Sequence, residues 1–98
     1  MPDTKDEDRL QEITADLKAG HYQDIEEYNG IRVGSRVYCG QGYTATVLAI
    51  MESANSAWSR RSGQRDVEFI VLQDTPRFAA YTRVTHWASY NIELSRAT

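Results

Sequence analysis

The chain has 98 residues, 41% of them hydrophobic, and its 11 Lys and Arg against 14 Asp and Glu give a formal net charge of −3. About 100 residues make one domain rather than two, and this apolar fraction is typical of a folded protein. No run approaches the ~20 apolar residues of a membrane span, and we expect no secretory signal at the acidic N-terminus. A single Cys excludes an internal disulfide framework and favours a reducing, cytoplasmic location.

The net charge hides a division along the chain. Residues 1–29 carry nine acids and three bases, a net charge of −6, whereas residues 30–98 carry five acids and eight bases, a net charge of +3. All eight bases of the second part are Arg. Such asymmetry is typical of an acidic tail beside an anion-facing surface, and the alternative is a leader that packs on the Arg-rich part and balances it. We predict one compact domain with an acidic helical leader over 1–29 and a β domain over 30–98.

The leader is predicted to be a helix over residues 5–19. Thr4 followed by Glu7 fits a capping box, and Gly20 is placed to end the helix. One narrow apolar stripe repeats at helical spacing: Leu10, Ile13 and Leu17. Because three apolar residues cannot form a core alone, we expect the stripe to dock on the β domain.

After the turn signal Asn29-Gly30, the pattern becomes β. Alternating, β-favouring runs predict five short strands: 32–39, 44–51, 67–72, 78–81 and 90–94. A long polar loop is expected over 52–65 and a tight 3₁₀ turn over 84–89.

The faces of these strands indicate the architecture. Val33, Val37 and Cys39 alternate along the first strand and are predicted to share its buried face. The second and third strands carry apolar residues on both faces, so one face fills a barrel and the other requires the helix as a cover. The predicted fold is α+β, mainly β, with an N-terminal acidic helix packed on a five-stranded SH3-like barrel.

The stretch VGSRVYCGQGYTATVLAI has a Gly-containing entry, a strand, a Gly-rich turn and a second strand. It resembles the opening of KOW-type SH3-like barrels at Gly34, Val37, Gly42, Val47 and Ile50. The later DVEFIVL and the closing WASYNI look like the last strands of small barrel proteins found on plasmids and phages. The resemblance spans residues 30–94 and implies a fold, with an accessory or host-interacting role on a mobile element. KOW-type barrels often contact RNA or protein, but their usual Lys is absent here.

Groups suited to catalysis are sparse. Cys39 with His21 or His86 would be a candidate nucleophile and base, but the alternating strand predicts that Cys39 is a core residue. One Cys and two distant His lack metal-ligand spacing, and no phosphate-binding Gly motif is present. We therefore predict no enzymatic activity, no metal and no cofactor.

The loop over 52–65 holds the main binding candidates. It contains Trp58, Arg60, Arg61 and Arg65. Guanidinium groups bind carboxylates and phosphates with two hydrogen bonds, and Arg and Trp are enriched at protein interfaces. Arg32 and Arg36 are predicted to share the outward face of the first strand with Tyr38 and to extend this surface, and Tyr43 is a further binding candidate.

We predict a protein-binding module that uses the acidic helix and the loop over 52–65, here called the Arg/Trp loop. One alternative is RNA or DNA binding through the Arg-rich face, with Trp58 or Tyr43 stacked on bases. The other is a solvated loop whose Trp packs on the barrel. Five aromatic residues are candidates to line a ligand groove, as in peptide-binding barrels, but are interpreted mostly as core and rim: Tyr38, Tyr43, Tyr81, Trp87 and Tyr90. No membrane partner is expected, and open strand edges leave a dimer as a further alternative.

Overall fold

A computed structural model of the protein describes residues 4–40, 42–75 and 83–95. Helix α1 (Thr4–Ala19) comes first, as predicted from its apolar stripe. The strands that follow are β1 (Gln23–Asp24), β2 (Glu27–Tyr28), β3 (Ile31–Arg32), β4 (Arg36–Cys39), β5 (Tyr43–Ser53), β6 (Asp66–Gln73), β7 (Val84–Ala88) and β8 (Ile92–Leu94). This mainly antiparallel arrangement with one long helix confirms the α+β, mainly β class.

The main sheet has the strand order β7-β6-β5-β4-β8, and β1 pairs with the far end of β5. The short strands β2 and β3 form a separate hairpin. Within residues 4–40, 42–75 and 83–95 no ladder joins β7 to β8, so the sheet is open and the predicted closure into a five-stranded barrel is not shown. None of the helices in this part of the chain has the length and apolar character needed to cross a membrane.

The predicted first strand is split by a turn. Gly34 has a φ of 91°, which ends β3 and redirects the chain before β4 begins. Val37 and Cys39 are buried as predicted, but Val33 is 61% exposed because it lies in this turn. The expectation that Val33 shares their buried face is therefore wrong.

The predicted polar loop after β5 contains a short helix, α2 (Ala57–Ser62). The side chain of Ser56 caps this helix by accepting a 3.0 Å hydrogen bond from the backbone N–H of Ser59. Gly63 ends it with a φ of 71°. The prediction of a loop over 52–65 is therefore wrong at residues 57–62, which form a helix. Its ends carry cap signals of the kind that predicted α1.

The end of the chain also differs from the prediction. Residues 84–88 form strand β7, where a tight turn was expected, and the 3₁₀ turn follows at Ser89–Asn91. The turn leads directly into β8, which is shorter than the predicted strand over 90–94. The predicted strand over 78–81 lies outside the described residues.

Two apolar clusters lie on the two faces of the sheet. The inner cluster consists of Ile31, Val37, Cys39, Ala45, Val47, Ile50, Val67, Phe69, Val71 and Ile92. The outer cluster consists of Ile13, Met51, Ile70 and Val84, with Leu10 and Leu17 packed at its edge. The apolar stripe of α1 therefore covers the second face of β5 and β6, which confirms the predicted docking.

The helix is also tied to the sheet by a polar contact. Asp6 is buried, and its Oδ1 accepts a 3.0 Å hydrogen bond from the backbone N–H of Arg83, immediately before β7. The Arg83 guanidinium in turn donates to the carbonyl oxygen of Gln73 at 2.8 Å. One acid of the leader thus holds Arg83, the residue that precedes β7.

Candidate functional site

A groove with a volume of about 250 Å³ lies between α2, the start of β6 and the 3₁₀ turn. It is lined by Tyr22, Trp58, Arg65, Asp66, Val67, Ala88, Ser89 and Tyr90. Val67 is fully buried, whereas Trp58 is 37% and Tyr90 is 77% exposed. The groove therefore combines an apolar floor with exposed aromatic walls.

Short, capped elements position the aromatic walls. Trp58 lies in the first turn of α2, whose N-terminus is capped by the side chain of Ser56. Tyr90 lies in the 3₁₀ turn, where the backbone N–H of Ile92 donates to the carbonyl of Ser89. Both elements are short and are anchored by hydrogen bonds at their ends, and both side chains line the groove.

A hydrogen bond joins Tyr22 to Asp66 at the groove wall. The Tyr22 hydroxyl donates to Asp66 Oδ1 at 2.9 Å. Burial, reinforced by the hydrogen bond to this carboxylate, raises the pKa of Tyr22 above its ordinary value, so the hydroxyl remains a donor. The hydrogen bond connects residues 44 positions apart and fixes the end of α1 beside β6.

Arg65 is held by an ion pair and a ring. Its Nε and Nη2 donate to the two carboxylate oxygens of Glu52, both at 2.8 Å. Its guanidinium carbon lies 4.8 Å from the centre of the Tyr28 ring. The hydrogen bonds from Arg65 lower the pKa of Glu52, so the pair stays charged and Arg65 is already engaged at neutral pH.

The structure divides the predicted binding residues between the two ends of β5. Trp58, Arg60, Arg61 and Arg65 follow the end of β5, whereas Arg36 and Tyr43 lie at its start. The strand positions that contact Arg65 and Arg36, Glu52 and Thr46, are separated by about 20 Å of extended chain. The six residues therefore form two surfaces rather than one.

Arg60 and Arg61 lie on the exposed side of α2. Neither guanidinium makes an ion pair with any residue in the part of the chain that the structure describes. They are available to a partner, but neither lines the groove.

Arg36 belongs to an internal cluster at the other end of β5. Its Nη1 donates to Asp74 Oδ1 at 2.8 Å and to Thr46 Oγ1 at 2.7 Å, and its Nη2 pairs with Asp74 Oδ2. Hydrogen bonds from Arg36 and then from Thr44 lower the pKa of Asp74 from 3.8 to about 2. Arg36 therefore connects β4 to the end of β6, and its guanidinium group is occupied by this structural contact.

The low pKa of Asp74 predicts a contribution to acid stability. Because the folded pKa lies below the unfolded one, the contribution is complete above the unfolded value of 3.8 and is lost as the pH falls toward about 2. Since both partners are exposed to solvent, the gain is small. We expect Asp74→Asn to lower Tm at pH 7 and to flatten its decline between about pH 5 and pH 2. Asp24→Asn, at an exposed and looser pair with Lys18, is the control, and equal effects of the two variants would contradict this assignment.

Cys39 lies in the core, as its alternating strand predicts. It is fully buried, its thiol donates to the carbonyl oxygen of Tyr43 at 3.3 Å, and the amide of Gln73 lies 3.6 Å from its sulfur. Burial raises the pKa of the thiol, whereas a nucleophilic Cys requires a lowered pKa and access. The geometry therefore offers this thiol no role as a nucleophile.

Neither His is placed to assist Cys39 or a metal. His86 Nδ1 lies 2.9 Å from Glu68 Oε1 on the exposed side of β6 and β7. His21 is an exposed residue with a φ of 69° just after α1. In the described ranges no three His, Cys, Asp or Glu side chains are grouped to hold a metal ion.

Sequence reasoning missed Tyr22 and Asp66, which were not assigned to any site. Tyr90 was among the aromatic candidates for a ligand groove, although most of these were interpreted as core and rim. The capping Ser56 and the closing Gly63 were the available signals for α2, and α2 brings Trp58 to the groove.

No family model, no curated protein and no solved structure matches the chain. The resemblance to KOW-type barrels and the origin on a mobile element therefore stay predictions.

Proposed function

We propose that the protein is a non-enzymatic protein-binding module, built as a small barrel of SH3-like type, that docks its partner at the groove beside α2. The observation that carries this proposal is that two exposed aromatic side chains, Trp58 and Tyr90, line one groove together with the buried Val67. Trp and Tyr contribute large contact areas to interfaces and tolerate exposure when free. Their position at one concave site favours recognition of a protruding segment of a partner.

The groove is formed before any partner arrives. Tyr22 is fixed by Asp66, Arg65 is fixed by Glu52, and Trp58 is carried by a capped helix. A partner would therefore order few side chains on docking, which reduces the entropy cost of association. This preorganisation supports a binding role over that of a solvated loop.

Two charged surfaces extend the proposed interface. Arg60 and Arg61 flank the groove on α2 and are available to acidic groups of the partner. Helix α1 uses its apolar stripe to cover the sheet, so its exposed acids, among them Asp8 and Asp16, form the surface that it can offer. The exposed acids of α1 are thus proposed as a second contact surface, which is purely polar.

Nucleic-acid binding is the alternative, and the Arg contacts weigh against it. Arg36 is engaged by Asp74, Arg65 by Glu52, and Arg83 by the carbonyl of Gln73. Nucleic-acid binding depends mainly on guanidinium and ammonium groups that are available to the phosphates. A protein partner therefore has the better support.

The proposal predicts that partner capture depends on Trp58. Tagged protein is incubated with a source lysate, with and without nuclease, and the captured proteins are quantified for wild type, Trp58→Ser and Tyr90→Ser. Because removing a central aromatic side chain from an interface costs about 2 kcal/mol or more, we expect each variant to lose a specific protein that wild type retains after nuclease treatment.

The matched control is Val33→Ser, which also removes an exposed apolar side chain but lies outside the groove. It should capture the partner as wild type does. Capture that is lost on nuclease treatment would favour the nucleic-acid alternative. Capture that survives in both Trp58→Ser and Tyr90→Ser would contradict a docking site at the groove.

A further inference from the structure

We propose that the groove receives a cationic side chain, Lys or Arg, from the partner, held by the aromatic rings of Trp58 and Tyr90 and by the carboxylate of Asp66. This inference rests on the proposed function and specifies the chemistry of the residue that inserts. Three features of the groove carry it: its size, its charge and its aromatic walls.

The size of the groove suits one long side chain. Its volume of about 250 Å³ is below the range of about 300–1,000 Å³ that is usual for pockets that enclose a whole small molecule. Val67 and Ala88 provide an apolar floor. Lys and Arg have aliphatic stems that bury well against such a surface while their charged ends reach polar groups.

The charges of the lining favour a cation. Arg65 brings a positive charge to the groove, but the carboxylate of Glu52 neutralises it through two hydrogen bonds. In the part of the chain that the structure describes, Asp66 receives its side-chain hydrogen bond from the neutral Tyr22 hydroxyl and has no cation as a partner. The lining therefore carries one uncompensated negative charge, at Asp66.

The walls add a second attraction for the same charge. The faces of Trp and Tyr rings attract Lys and Arg cations through their quadrupoles, and Trp does so most strongly. The same chemistry already operates beside the groove, where the guanidinium of Arg65 lies over Tyr28. A cation in the groove would thus be stabilised by the rings and by Asp66 together.

An acidic side chain is the opposite occupant, and the lining disfavours it. It would lie near Asp66, and the nearest guanidinium of the lining is already bound to Glu52. Arg60 and Arg61 lie outside the lining, so they would contact acidic groups of the partner around the groove rather than within it.

The test is an NMR titration of the full chain, followed at the indole N–H of Trp58. The probes are capped five-residue peptides, Gly-Ala-X-Ala-Gly, in which X is lysine, arginine, norleucine or glutamate. We expect the lysine or arginine probe to bind about tenfold more tightly than the norleucine probe, a ratio within the range of cation–π and charge contributions, and the glutamate probe to bind least.

Asp66→Asn is the diagnostic variant, because its amide oxygen can still accept the Tyr22 hydrogen bond while the charge is removed. An unchanged Tm shows that the fold is retained, and Glu93→Gln, which removes an exposed acid outside this groove, is the control. The preference for the cationic probes should fall in Asp66→Asn and persist in Glu93→Gln.

Equal binding of norleucine and lysine, tighter binding of glutamate, or no shift of the Trp58 signal with any probe would each overturn the inference. A preference that is unchanged in Asp66→Asn would also overturn it. None of these results would by itself overturn the protein-binding proposal, which fails only if partner capture is independent of Trp58 and Tyr90 or requires nucleic acid.

Discussion

Replacing Gly40 with Ala is expected to lower the free energy of unfolding by about 2–5 kcal/mol. Gly40 has a φ of 58°, a left-handed conformation that a Cβ disfavours. An added Cβ would also lie 2.7 Å from Cη2 of Trp87, which packs against the inner cluster. The loss combines backbone strain with overpacking, and equilibrium denaturant unfolding measures it.

Gly42→Ala is the matched control for this prediction. Gly42 has a φ of 91°, but a Cβ there would meet no atom within 4 Å, so it should show only the strain of about 1–2 kcal/mol. Trp87→Phe removes the ring atoms that the new Cβ would meet and should offset part of the loss in the double variant. Equal losses for Gly40→Ala and Gly42→Ala would contradict the contact with Trp87.

Ile13→Ala is expected to lower the free energy of unfolding by about 2–5 kcal/mol, the range observed when a buried Ile or Leu is truncated. Ile13 is 3% exposed and packs with Met51, Ile70 and Val84 on the outer face of the sheet. Truncation therefore leaves a cavity between α1 and the sheet. Thermal and denaturant unfolding of the full chain measure the loss.

Gln11→Ala, on the exposed side of α1, is the control and should change stability by no more than about 0.5 kcal/mol. Leu10→Ala and Leu17→Ala should show smaller losses than Ile13→Ala, since both side chains are only half-buried. If Ile13→Ala matched Gln11→Ala, the helix would contribute nothing to the stability of the sheet and the docking would be contradicted.

The local spacing of apolar residues was sufficient to predict α1, β5 and β6, which pack against one another. The apolar stripe of α1 and the two-sided runs of β5 and β6 depend on the spacing of neighbouring residues, which the sequence displays directly. Their docking followed because an apolar stripe and an uncovered apolar face require each other. Val33 was misplaced because alternation alone does not reveal that the chain turns at Gly34.

The groove could not be predicted, because it depends on long-range contacts. Tyr22 donates a hydrogen bond to Asp66, which lies 44 residues further along the chain. Arg65 pairs with Glu52 because α2 turns the chain back between them. In the sequence Arg65 and Arg36 look equally available, yet each is bound by a carboxylate that the register of β5 and β6 brings near. Both guanidinium groups are therefore paired with acids of the same Arg-rich part of the chain.

The most direct test of the central claim is a chemical-shift map of the whole chain on addition of the captured partner. We expect the largest changes at the groove, at Tyr22, Trp58, Asp66 and Tyr90. Changes concentrated at Arg36 and Tyr43, or along the acidic face of α1 with the groove unaffected, would contradict it.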